Sequence, residues 1–230
     1  MRLFLLSNST NFGEGYLDHA MDDIRAFLGP IQRIAFVPFA LADHAAYTAK
    51  VQDRFGREGI EVTALAATRN AASLRSVDAV FVGGGNTFRL LRTLQKARYV
   101  DDLRARVAAG MPYLGASAGT NIAAPTIRTT NDMPIVEPVT FDALGLVPFQ
   151  INPHFLDVTA GSRHMGETRE DRLREYLEEN EAPVVGLREG AWLRREGGSL
   201  RLEGRNGARL FRRGADPEEV APGRALDALL

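Results

Sequence analysis

The sequence contains no cysteine, which excludes disulfide bonds, thiolate metal sites and a cysteine nucleophile. It also lacks a sizeable net charge: the value of −1 over 230 residues gives no electrostatic reason to expect nucleic acid or an anionic membrane as a partner. No apolar run reaches the roughly 18 residues of a membrane-spanning helix. The short apolar start has no signal-peptide cleavage site. We therefore expect a cytoplasmic protein that binds neither nucleic acid nor membranes.

The chain instead alternates between two hydrophobic periods. Short apolar runs, interpreted as buried strands, are separated by segments in which apolar residues recur every three or four positions, as on a helix face. This alternation is typical of an α/β fold with a mainly parallel sheet and helices on both faces. Strands are predicted at residues 3–6, 34–37, 60–65, 79–82, 112–114, 146–151 and 184–187, and helices at 17–28, 43–57, from 86 through 94, 100–109 and 168–180.

The residue pattern of the sequence changes after residue 190. Short strands at 191–193, 200–202 and 209–211 are divided by Gly197-Gly198 and Asn206-Gly207, dipeptides that suit tight hairpin turns. We expect residues 191–230 to form an antiparallel β appendage of a single domain that spans residues 1–230.

A lone serine lies among small residues in Gly115-Ala116-Ser117-Ala118-Gly119, directly after a predicted strand. The stretch matches the Gly-x-Ser-x-Gly pattern of a nucleophile on a sharp strand-to-helix bend, where larger neighbours would collide. The alternative is a glycine-rich turn in which Ser117 caps the following helix.

A serine nucleophile needs a base, and the chain has four histidines. His154 follows the predicted sixth strand, at the sheet edge where parallel sheets bind ligands, and is the candidate base. The alternative is a structural histidine at a strand end. His19 is expected on the solvated face of the first helix, His44 near a helix start and His164 in a loop.

Two carboxylates are candidates to orient the imidazole. Asp132 lies in the polar segment TIRTTNDMPIV, which is expected to form an ordered loop near the serine. Glu189 lies at the carboxyl end of the predicted seventh strand. The residues alone do not choose between them.

Glycines also end the predicted fourth strand, in the stretch 83–86. Their N–H groups, with that of Ala118, could form an oxyanion hole because no side chain blocks the approach. The alternative is a loop that binds a phosphate or nucleotide. However, Phe88 takes the third position of Gly-x-Gly-x-x-Gly, and no Gly-Lys-Ser/Thr follows.

Six stretches together resemble peptidase E, the family of aspartyl dipeptidases. The resemblance implies a cytoplasmic serine exopeptidase, without metal or cofactor, that removes N-terminal aspartate, chiefly from dipeptides, through an aspartyl-enzyme. It also implies a flavodoxin-like sheet similar to that of class I glutamine amidotransferases. In chain order between residues 81 and 192, the stretches are FVGGGNTFRLL, GASAGTNIA, TIRTTNDMPIV, INPHF, GETRE and GLREGAW.

The resemblance also implies roles for individual residues. It makes Ser117 the nucleophile, His154 the base, and the N–H of Gly85, with that of Ala118, the oxyanion hole. The acid falls on Asp132 or Glu189. We favour Asp132 and keep Glu189 as the alternative acid or as a substrate-binding group.

Substrate binding is expected from an arginine that matches the family pattern. Arg169 would bind the aspartate carboxylate, because a guanidinium pairs with a carboxylate in a bidentate way, and Asn86 would assist. One alternative is a cyanophycinase-like peptidase that cleaves β-linked aspartyl-arginine. Another is a protein that binds phosphate or nucleotide without catalysis. Assembly as a homodimer stays open.

Overall fold

The computed structural model of the chain describes residues 1–68, 74, 76–157 and 166–230. Its strands are β1 (Arg2–Leu6), β2 (Arg33–Val37), β3 (Glu61–Ala64), β4 (Ala79–Val82), β5 (Tyr113–Ala116), β6 (Gln150–Pro153), β7 (Val184–Leu187), β8 (Ala191–Glu196), β9 (Ser199–Gly204), β10 (Ala208–Phe211) and β11 (Glu218–Val220). Its α-helices are α1 (Met21–Leu28), α2 (His44–Gly56), α3 (Thr87–Lys96), α4 (Val100–Ala108), α5 (Ala118–Asn121) and α6 (Arg169–Glu179), with 3-10 turns at Asp18–Ala20 and Asp227–Leu229.

The larger of two sheets has the strand order β3-β2-β4-β5-β1-β8-β9. Its first five strands are parallel, and β8 and β9 extend it as an antiparallel hairpin beside β1. The mainly parallel sheet that the sequence predicts is therefore confirmed. Because β4, β5 and β1 are neighbours, the segments that follow them start at the same edge of the sheet.

Helices cover both faces of this sheet. Side chains alternate along a strand, so Phe4 and Leu6 of β1 face one side, where they pack with helices α1 and α2. Leu3 and Leu5 face the other side, where they pack with helices α3 and α4. Among the described residues, no helix is long and apolar enough to cross a membrane.

A second sheet has the strand order β11-β10-β7-β6, with only the β6–β7 pair parallel. The strands predicted at 146–151 and 184–187 thus belong to this sheet and not to the larger one, and β11 was not predicted. Strand β1 already pairs with β5 on one side and with β8 on the other, so β6 and β7 cannot pair with it and form a separate sheet. An apolar run indicates that a strand is buried, but it does not indicate which strand lies beside it.

The antiparallel pairing of the last forty residues is confirmed, and their strands join both sheets. The hairpin β8–β9 completes the larger sheet, while β10 and β11 complete the second one. Ile151, Val185 and Leu210 of the second sheet share one buried cluster with Leu5 of the larger sheet. Helix α6 covers the second sheet through Leu173 and Leu177.

His19 differs from the sequence expectation. It lies in the first 3-10 turn and is only 9% exposed, with its ring 6.4 Å from that of Trp192. Neither ring nitrogen has a hydrogen-bond partner among the described residues. Burial lowers the pKa of His19 below its ordinary value, so the neutral ring is favoured. His164, which was expected in a loop, lies outside the described residues.

The bend between β5 and α5 explains the run of small residues around Ser117. The backbone of Ser117 has φ 53° and ψ −109°, a conformation that residues with side chains rarely adopt. A Cβ on Gly119 would lie 2.1 Å from the carbonyl oxygen of Val82, and a Cβ on Gly115 would lie 2.6 Å from that of Gly119. Neither position tolerates a larger residue, since both obstacles are backbone atoms.

We expect the substitution Gly119→Ala to lower the free energy of unfolding by about 2 kcal/mol or more, because α5 and the end of β4 must move apart to admit the methyl group. Gly56→Ala is the matched control, since Gly56 is exposed and a Cβ there meets nothing within 4 Å. The control should be neutral or stabilising by up to ~1 kcal/mol. Urea denaturation measures both values, and equal stabilities would contradict the packing argument.

Candidate active site

Ser117 lies on the bend at the carboxyl end of β5. Its N–H donates to the carbonyl oxygen of Leu6 over 3.1 Å, which fixes the bend to β1. Its side chain makes no capping hydrogen bond with helix α5. Instead, Oγ lies 2.9 Å from Nε2 of His154. The helix-cap alternative is therefore wrong, and the geometry is that of a hydroxyl paired with a potential base.

His154 directly follows β6 and has a positive φ of 54°. Its N–H donates to Oγ of Ser7 over 2.9 Å, and the Ser7 hydroxyl donates to the carbonyl oxygen of Leu187 over 2.8 Å. The wholly buried Ser7 thus fixes the backbone of His154 and joins the ends of β1 and β7. Sequence reasoning missed Ser7, because an isolated serine after a strand carries no local signal of this contact.

The acid that contacts the imidazole is Glu189. Its Oε1 lies 2.6 Å from Nδ1 of His154, so the ring is bonded at both nitrogens. Asp132, the preferred candidate, has different partners. The carboxylate of Asp132 accepts the N–H of Thr87 over 2.7 Å and the hydroxyl of Thr130 over 3.2 Å. Thr87 begins α3, and the positive end of a helix dipole favours a carboxylate there.

The glycines at residues 83–85 and Ala118 place several backbone N–H groups beside Ser117. The N–H of Gly83 donates to Val37 over 3.2 Å, and that of Gly84 donates to the hydroxyl of Tyr47 over 2.9 Å. Within the described parts of the chain, the N–H groups of Gly85 and Ala118 have no acceptor. The loop also touches the bend, since a Cβ on Gly84 would lie 3.0 Å from that of Ser117.

Asn86 has a structural role in this loop. Its Oδ1 accepts the N–H of Arg89 over 3.0 Å and caps helix α3, and its Nδ2 donates to the carbonyl oxygen of Met133 over 2.8 Å. It does not line the cavity beside Ser117. The expectation that Asn86 assists in carboxylate binding is therefore not supported by its position.

A cavity of about 250 Å³ opens beside Ser117 and His154. Its lining includes Asp132 and Arg169, together with Thr130 and Asn131. The last two belong to the polar segment TIRTTNDMPIV, which was expected near the serine. Nδ2 of Asn131 donates to the carbonyl oxygen of Pro153 over 2.8 Å, which ties this loop to β6.

Arg169 lies on the wall of this cavity and, among the residues that the structure describes, forms no salt bridge or hydrogen bond. Partial burial and the adjacent charge of Arg172 lower the pKa of Arg169 below its ordinary value, while the charge of Asp132 raises it. A partly buried guanidinium without a partner is suited to bind a carboxylate ligand.

The start of α6 holds Arg169 in place. Thr168 and Asp171 form a capping box at the helix N-terminus. The next residue after Arg169, Glu170, accepts a hydrogen bond from Arg209 of β10 over 2.5 Å.

Among the described residues, no group of three or more histidine or carboxylate side chains is placed to hold a metal ion.

The family model for peptidase family S51 matches residues 3–203. This chain belongs to peptidase family S51. A family relative named Peptidase E from Streptomyces coelicolor is 58% identical over 231 residues, covering 100% of this chain and 95% of the relative. A Drosophila melanogaster relative named Probable alpha-aspartyl dipeptidase is 47% identical, covering 99% and 97%. The resemblance stated from the motifs is confirmed.

Two solved structures share the fold of this S51 chain. A putative peptidase E protein from Listeria monocytogenes has a TM-score of 0.69 at 23% identity, covering 89% of this chain and 98% of the other. A peptidase from an acI-B1 Actinobacterium has a TM-score of 0.71 at 13% identity, covering 98% and 96%. At these identities the likeness concerns the fold alone.

We expect Tyr47→Phe to destabilise the loop of residues 83–86, which holds Gly84. Burial raises the pKa of Tyr47, so its hydroxyl is neutral and accepts the Gly84 N–H. Without it the buried N–H is unsatisfied, at a cost of about 1–3 kcal/mol in the free energy of unfolding. Tyr16→Phe is the control: it removes a hydroxyl 3.3 Å from that of Tyr47 but keeps the Gly84 bond. Thermal denaturation giving equal losses for both variants would refute this role.

Proposed function

We propose that this chain is a serine dipeptidase that removes N-terminal aspartate from short peptides, chiefly dipeptides. One observation carries the proposal: the relay Ser117–His154–Glu189, with contacts of 2.9 Å and 2.6 Å, opens on a cavity that contains Arg169, which has no partner among the described residues. Membership of peptidase family S51 and the name of the Drosophila relative support the same activity.

In the proposed mechanism, Nε2 of His154 accepts the proton of the Ser117 hydroxyl as Oγ attacks the peptide carbonyl. Glu189 holds the other ring nitrogen and stabilises the imidazolium that forms. The free N–H groups of Gly85 and Ala118 donate to the developing oxyanion. His154 then protonates the leaving amine, and a water molecule, activated by the same ring, hydrolyses the aspartyl-enzyme.

The charges of the cavity match an N-terminal aspartate. Its side-chain carboxylate would pair with Arg169, and its ammonium would pair with Asp132, whose carboxylate lines the same cavity. Asp132 thus takes the substrate-binding role that the sequence interpretation gave to Glu189. A β-linked aspartyl substrate would place the scissile carbonyl at a different distance from these two groups, so the α-linked substrate is the one proposed.

The proposal is tested by hydrolysis of Asp-Leu. We expect wild-type turnover and a loss of at least about 10⁴-fold in kcat for Ser117→Ala, because within the described residues no other hydroxyl contacts the His154 ring. A fluorophosphonate should label the wild type on Ser117 and leave Ser117→Ala unlabelled. Ser117→Ala with undiminished turnover would end the proposal, and faster cleavage of β-Asp-Leu than of Asp-Leu would reassign the substrate.

Substitutions of the two carboxylates are expected to change different kinetic parameters. Glu189→Gln should lower kcat by about 10²- to 10⁴-fold with little change in KM, because the imidazolium loses its partner. Asp132→Asn keeps an acceptor for the Thr87 N–H and should mainly raise KM. Steady-state kinetics with Asp-Leu measures both parameters. The reverse pattern would restore Asp132 as the acid.

Arg169→Met is expected to lower kcat/KM for Asp-Leu by about 10- to 100-fold, since the substrate carboxylate loses a charge-assisted partner. Activity on Asn-Leu, which has no side-chain charge, should change much less. Arg172→Met serves as the control on the same helix, because Arg172 pairs with Glu167 at 3.3 Å. Equal effects of Arg169→Met on both dipeptides would show that this arginine does not read the aspartate side chain.

A further inference from the structure

The peptide bond between Glu189 and Gly190 is held from both ends by side-chain amides. The carbonyl oxygen of Glu189 accepts a hydrogen bond from Nδ2 of Asn206 over 2.6 Å. The N–H of Gly190 donates to Oδ1 of Asn8 over 2.8 Å. Both bonds act on the same rigid peptide unit, which is planar. We propose that Asn8 and Asn206 are positioning residues that hold Glu189 against His154, and we call this pair the amide clamp.

The amide clamp holds the central peptide unit of a tight turn. The N–H of Ala191 donates to the carbonyl oxygen of Arg188 over 3.2 Å, so Glu189 and Gly190 are the central residues of a tight turn. Gly190 has φ 77°, as the third residue of a type II turn requires. Type I and type II turns differ mainly in the orientation of the central peptide unit. A clamp on that unit therefore selects one of the two turns.

The two amides come from different parts of the chain and are themselves anchored. Nδ2 of Asn8 donates to Oδ1 of Asn11 over 2.7 Å, and the side chain of Asn8 is buried. Asn206 lies in the turn between β9 and β10, where the N–H of Arg205 donates to the carbonyl oxygen of Gly190 over 2.9 Å. Arg205 also forms a salt bridge with Glu14, which joins this turn to the segment after β1.

Glu189 needs such support because its side chain is 50% exposed. Little packing restricts an exposed carboxylate, so the direction of its single contact with the imidazole depends on its backbone. Misplacing a catalytic contact by about 1 Å can reduce the rate by ~100-fold. The clamp rests on the proposed function, since it serves the reaction only if Glu189 is the acid of the relay.

The test uses Asn206→Ala, because Asn206 is exposed and its loss leaves no buried donor unsatisfied. We expect kcat for Asp-Leu to fall by about 10- to 100-fold while KM changes by less than about twofold. The same substitution is then made in a Glu189→Ala background, where it should have no further effect, because its path to the reaction has been removed. Asn180→Ala is the matched control, since Nδ2 of Asn180 also donates to a backbone carbonyl, that of Tyr176, over 2.7 Å. It should leave kcat unchanged.

The rate of fluorophosphonate labelling at Ser117 is measured on all variants as a readout that needs no peptide substrate. It should show the same pattern as kcat. Unchanged kcat and labelling in Asn206→Ala would overturn the clamp, as would an equal fold-loss in the wild-type and Glu189→Ala backgrounds, which marks a purely structural residue. A wild type that is labelled but does not cleave Asp-Leu would refute the dipeptidase activity alone. A wild type that is not labelled would overturn both proposals.

Discussion

The carboxyl end of β1 holds the whole relay together, and the geometry of the site depends on its hydrogen bonds. The carbonyl oxygen of Leu6 accepts the N–H of Ser117, and Oγ of Ser7 accepts the N–H of His154. Oδ1 of Asn8 accepts an N–H of the turn that carries Glu189. Three consecutive residues thus fix three distant pieces of backbone. Because all three are buried, these bonds are shielded from water, and an unsatisfied partner would be costly.

This arrangement places the site where the two sheets meet. Ser117 and the N–H groups of Gly85 and Ala118 come from the ends of β4 and β5 in the larger sheet, whereas His154 and Glu189 follow β6 and β7 in the second sheet. The position of one sheet against the other therefore sets the distances within the relay. The buried cluster that both sheets share keeps that position constant.

The cavity beside the relay keeps two opposite charges apart. Asp132 is held by the start of α3 and Arg169 by the start of α6, and within the described chain they form no salt bridge with each other. Each helix start thus presents one charged group that remains available to a ligand. A small ligand with one positive and one negative group complements this pair better than a neutral one.

The sequence by itself determined the parallel strands with their helices and the small residues around Ser117, which depend on near neighbours. Its motifs also pointed to Ser117 and His154, since each follows a predicted strand. It also placed the loop of Asp132 near the serine. Only the tertiary structure decided that Glu189 contacts the ring, that β6 and β7 form a second sheet, and that His19 is buried. Those outcomes depend on contacts between residues far apart in the chain. Hydrophobic periodicity and local motifs describe only adjacent positions, so they carry no information about such partners.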